Sequence, residues 1–161
     1  MDQDTLLAEV ESGWKQWQAL LGSLTPAQMV DPALPGGWSV KDTIAHIAFY
    51  EDWVGEFIRT RTWPEPRHPS LETFDMHARN DAFFELNKDR SLEDVLEESP
   101  RVHQKLVDAI AALTDAEYHD PNLLGTPPDP EWALEKMIDG NTFKHYPGHA
   151  AIIQEWLASG E

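Results

Sequence analysis

Residues 38–51 read Trp38-Ser39-Val40-Lys41-Asp42-Thr43-Ile44-Ala45-His46-Ile47-Ala48-Phe49-Tyr50-Glu51, and the run 40–59 contains no proline and one glycine. Ser39 followed three residues later by Asp42 makes a capping pattern: a hydroxyl for the N3 amide and a carboxylate that reaches back to the cap amide. Val40, Ile44, Ile47, Val54 and Ile58 then recur as one helical stripe, with His46, Tyr50, Trp53 and Phe57 as a neighbouring one. A helix this widely apolar packs on two sides. The stretch therefore predicts a helix that is central to an all-helical fold or that meets a second subunit.

Working outward, residues 5–23 carry Leu6, Leu7, Val10, Trp14, Trp17, Leu20 and Leu21 at spacings of three and four, a first amphipathic helix. Thr25-Pro26-Ala27-Gln28 reads as a cap and one short turn. Pro32, Pro35, Gly36 and Gly37 then break the chain before Trp38. Downstream, the three prolines of 61–70 make a loop long enough to cross a bundle. A third helix is expected over 71–88, with Phe74, His77, Ala78, Phe83, Phe84 and Leu86 as its less polar members. Ser91 and Asp94 repeat the capping pattern and open a helix to 113, which Pro100 should bend or interrupt. Residues 120–130 are proline-rich and read as a loop; a last helical region follows from near 131 to 159. Strand-like alternation never persists and nothing repeats. The expectation is a single domain, 1–161, folded as an all-α four-helix bundle.

Net charge is −17 over 161 residues, and the pI is about 4.6. A phosphate backbone or an anionic membrane surface would be repelled, so neither nucleic acid nor membrane is an expected partner. No stretch approaches the roughly 20 apolar residues of a membrane span. Met1-Asp2-Gln3-Asp4 is acidic where a secretion signal is basic, which makes a cytoplasmic location the expectation. The chain has no cysteine, so any transition-metal site must use imidazole and carboxylate.

That restriction gives weight to the histidines. His145 and His149 stand four apart, and Ile152, Ile153 and Trp156 continue their face toward a core. Pro147, between them, cannot donate to the carbonyl of Phe143 and predicts a kink there. A lone buried pair is most simply two hydrogen-bonded imidazoles. His46, in a second helix 99 positions upstream, changes that balance. Bundle cores assemble metal sites from facing helices, and three neutral imidazoles suit zinc, nickel, cobalt or ferrous iron. Three protein ligands leave a coordination position open, as a reactive site requires. Tyr50, one turn beyond His46, is the candidate catalytic donor. Glu51 lies roughly 140° round the helix from His46 and is not expected to ligate. His68 and His119 belong to solvated loops, His103 to a polar helix face at the surface, and His77 is a lesser candidate for the pocket. Asn80 and Asn141 could orient a ligand, with helix capping the plainer role for Asn141.

The segment Trp38 to Glu51 resembles the second-helix signature of the DinB-like superfamily, and Lys144-His145-Tyr146-Pro147-Gly148-His149 its last-helix signature. Gly140-Asn141-Thr142 and His145-Tyr146-Pro147 are most similar to the ClbS/DfsB branch. The resemblance implies a four-helix bundle of the DinB-like type and maps the superfamily's metal triad onto His46, His145 and His149, with zinc or nickel as the expected cofactor. It further implies a metal-dependent hydrolase or thiol transferase acting on a small, electrophilic molecule. The alternative is a non-catalytic protein of the same fold that binds and sequesters a small molecule. The breadth of the apolar surface on 40–59 adds the expectation of a homodimer.

Overall fold

The structure is a computed structural model and describes residues 1–123 and 133–160. Helix α1 (Gln3–Gly22) starts where the Asp2 carboxylate accepts from the Thr5 amide, and it buries Leu6, Val10, Trp17 and Leu21. Thr25 and Gln28 form a reciprocal capping box for α2 (Pro26–Val30). A short turn over Pro35–Gly37 follows, with Gly36 at φ 76° and Gly37 at φ 77°. Only glycine takes that left-handed geometry without penalty, and the turn delivers Trp38 beside the next helix.

Helix α3 (Val40–Thr60) is the axis of the fold. The Ser39 amide donates to Asp42 Oδ2 at 2.8 Å, and the Asp42 amide donates to Ser39 Oγ at 3.2 Å. Burial then runs nearly all round the helix, taking in Val40, Ile44, Ile47, Val54, Phe57 and Ile58 along with His46, Tyr50 and Glu51. It packs most extensively on α5 (Leu92–Ala111), and also on α4 (Met76–Asn87), α2, α7 (Leu134–Asn141) and α8 (Tyr146–Ala158). Helix α1 closes the bundle against α5 and α8. The four rods are thus α1, α3, α5 and the interrupted α7–α8, with α4 on the flank and the single turn α6 (Asp115–Tyr118) near the first helix. One core surrounds Trp17, Ile44, Ile47, Phe83, Ile153 and Trp156; the other surrounds Leu6, Phe57, Leu106, Ile110 and Ile138.

Several expectations shift. Helix α4 begins at Met76, not 71, because Asp75 caps it through the Ala78 amide; Phe74 and His77 are left exposed. Pro100 does not interrupt α5, which is continuous from Leu92 to Ala111. It sits on the exposed side, where the carbonyl that loses its donor can be solvated. The last helical region is two helices, broken ahead of the histidine pair. The expected loop over 120–130 and the helix start near 131 lie in part outside the described residues. The connection 61–75 folds back on α3, and the Trp63 ring lies 4.3 Å from Phe57 and 6.1 Å from Trp53, centroid to centroid. That coverage occupies part of the apolar face from which a homodimer is expected. None of the described helices is long and apolar enough to cross a membrane.

Candidate metal centre

Helix α7 stops at Asn141, whose side-chain amide donates to the Met137 carbonyl at 2.8 Å. Thr142 then leaves helical geometry at φ −126°, ψ −117°. Its carbonyl collects the amides of His145 at 2.7 Å and Tyr146 at 3.1 Å, which restarts the chain as α8. Pro147 falls in the first turn of α8, where a missing N–H breaks no helical bond. The kink expected between the two histidines is therefore displaced to residues 142–145. His145 keeps helical dihedrals, φ −88° and ψ −47°, so it and His149 still share a face.

That face meets His46 of α3. His145 Nε2 lies 3.3 Å from His46 Nε2 and 3.0 Å from His149 Nε2. The three imidazoles all offer ligand atoms within 4.8 Å of one another, a group that could hold a metal ion. Tetrahedral bonds of about 2.0–2.1 Å separate ligand nitrogens by roughly 3.3 Å, so the closer distances fit such an ion. Burial favours the neutral, ligating form. It depresses the pKa of His46 to about 2, with help from the two neighbouring imidazoles, and that of His145 to about 3, with help from His149. His149 is depressed by burial too.

A ligating imidazole commonly donates its second nitrogen to a carboxylate or carbonyl. The Nδ1 atoms of His46 and His145 are buried without a hydrogen-bond partner. Aromatic edges hold the His46 ring instead: Tyr50 at 5.0 Å, Trp38 at 5.6 Å and Phe83 at 6.0 Å between centroids. Tyr50 also meets His145 edge-on at 6.2 Å. Its hydroxyl donates to Asn80 Oδ1 at 3.0 Å. Burial raises the phenol pKa against the opposing pull of Arg79, so the hydroxyl stays protonated at neutral pH.

His68, His77 and His119 are exposed and away from this cluster. His103 corrects the reading of a surface residue: it is only 6% exposed and stacks on Trp14 at 3.8 Å and 5° between planes. His103 Nδ1 lies 3.1 Å from Glu51 Oε1, and the same oxygen accepts from the Tyr146 hydroxyl. Glu51 is fully buried, and its Oε2 has no partner. This carboxylate joins α3 to α5 through His103 and to α8 through Tyr146. Two signals in the sequence pointed to it. Glu51 interrupts the apolar stripe of Ile44, Ile47, Val54 and Ile58, and His103 lies between Val102 and Leu106 on the buried stripe of α5. A charge on such a stripe calls for a buried partner.

The sequence profile of the DinB superfamily matches residues 9–157. No curated protein matches the chain. Among solved structures, an uncharacterised protein from Escherichia coli UTI89 superposes with a TM-score of 0.78 at 18% identity, over 99% of this chain and 94% of that one. At that identity the likeness establishes the fold alone. Neither match separates the ClbS/DfsB branch from the rest of the superfamily.

Proposed function

Since the chain belongs to the DinB superfamily, we propose that it is a divalent-metal-dependent enzyme acting on a small molecule, with the metal held by His46, His145 and His149. The observation that carries this reading is the convergence of three imidazoles through Nε2, one buried and two half-buried, each held toward its neutral form by desolvation. Three neutral nitrogen donors favour zinc or nickel. When bound, such an ion supplies a Lewis acid and lowers the pKa of a coordinated water or thiol, which serves hydrolysis and thiol transfer alike. The chain's own residues hold the rings. Trp38, Tyr50 and Phe83 fix the His46 plane, and the Thr142 carbonyl sets where α8 begins. Tyr50 is the group placed to donate a hydrogen bond to a ligand, once it leaves Asn80. A cytoplasmic setting and membership of the ClbS/DfsB branch complete the proposal.

The engagement of Tyr50 by Asn80 favours a second reading, a protein that binds and sequesters a small molecule without turnover. Elemental analysis of protein purified without a metal-affinity tag decides first. About one equivalent of zinc or nickel per chain is expected, and its absence even after incubation with either metal would defeat the metal reading. Turnover on esters, amides and thiol-plus-electrophile pairs then separates enzyme from sequestering protein.

A further inference from the structure

A cleft of about 480 Å³ opens between α3, the connection 61–75 and Arg79 of α4. Five aromatic rings line it: Phe49, Tyr50, Trp53, Trp63 and Phe74. The volume is that of a small-molecule pocket, too small for a folded partner. Phe74 is 72% exposed at its rim, the most exposed large apolar side chain described.

We propose that this cleft binds a neutral, flat aromatic molecule and is the substrate site of the histidine centre. Flat ligands gain from offset or edge-on contact with surrounding rings, a gain that saturated ligands of equal size lack. Charge argues for neutrality. Two guanidiniums (Arg67, Arg79) and two carboxylates (Glu65, Glu72) line the walls, and Arg67 is already paired with Asp52 and Glu56, so it is not left to draw an anion. Arg79, only 8% exposed, opposes a cation. The chain's −17 opposes an anion. Tyr50 links cleft to centre: its ring lines the cleft and abuts His46 and His145. The partition is one side chain thick. The link to the centre rests on the metal reading; affinity for aromatic ligands does not.

Calorimetric titration of the full chain at neutral pH with 2-naphthol, 2-naphthoate and decahydro-2-naphthol tests the cleft. One 2-naphthol is expected per chain, bound roughly tenfold tighter than either control. Phe74→Ser, at an exposed position that leaves the fold intact, and Trp63→Ala should each weaken it about fivefold or more. His149→Ala should leave it unchanged. No saturable binding, equal binding of the saturated alcohol, or indifference to both cleft variants would overturn the proposal. Naphthol binding by a chain that takes up no metal defeats the metal reading and leaves the cleft standing. A metal-loaded chain that ignores naphthol does the reverse.

Discussion

Desolvation, with the neighbouring imidazoles, favours the neutral rings of His46 and His145 in the folded chain and lowers their pKa values to about 2 and about 3. In the unfolded chain both return to about 6.5. The unfolded state therefore binds more protons between pH 6.5 and 3, and stability falls as pH drops through that window. Metal-free protein should lose roughly 2 kcal/mol per imidazole by pH 5, read from urea midpoints. A midpoint that stays flat from pH 7.5 to pH 5 would mean that these rings are wet. The same burial alters how a metal competes with protons. Simple ligation predicts loss of affinity near pH 6.5; rings held neutral in the fold keep their affinity below it. Zinc or nickel at a hundredfold excess over its dissociation constant should stabilise by about 2.7 kcal/mol. That gain should persist at pH 5.5, and His149→Ala should remove most of it, as thermal melts with and without metal would show.

At the scale of elements, α3 and α8 are positioned by polar groups at their ends and flanks. The Ser39 and Asp42 box is buried, with Ser39 3% exposed, whereas the Ser91 cap of α5 is in solvent. Ser39→Ala should cost about 1–2 kcal/mol in chemical denaturation and Ser91→Ala less, since water can replace only the exposed cap. Glu51 binds three helices together through His103 and Tyr146. Glu51→Ala removes the buried acceptor that His103 and Tyr146 share and should destabilise by roughly 3 kcal/mol or more. A loss under about 1 kcal/mol would show the carboxylate to be dispensable. Because Tyr146 directly follows His145, the same variant should also weaken metal binding, measurable by competition with a chromophoric chelator. The helix starts themselves are legible where a hydroxyl cap precedes an apolar periodic run, as at Ser39 and Ser91. They were misread at 71–75, where Asp75 is the cap that counts and Phe74 lies outside the helix.

For the whole molecule, Trp63 covers Trp53 and Phe57 within one chain, so light scattering at micromolar concentration should return the 18.3 kDa of a monomer. Twice that mass would assign an interface to another surface. The all-helical class, the caps of α2, α3 and α5 and the pairing of His145 with His149 were determined by the sequence itself, since each depends on residues within a turn or two of one another. His46 could be named from its stripe and from the family resemblance, but its 3.3 Å approach to His145 across 99 positions is a product of packing. The same is true of the inward turn of His103, the closure of α3 by Trp63 and the position of the break before α8. Local spacing says which face of a helix a residue occupies. Which face another helix then covers is decided only when α1, α3, α5 and α8 compete for the same buried area, and no short-range pattern records the outcome.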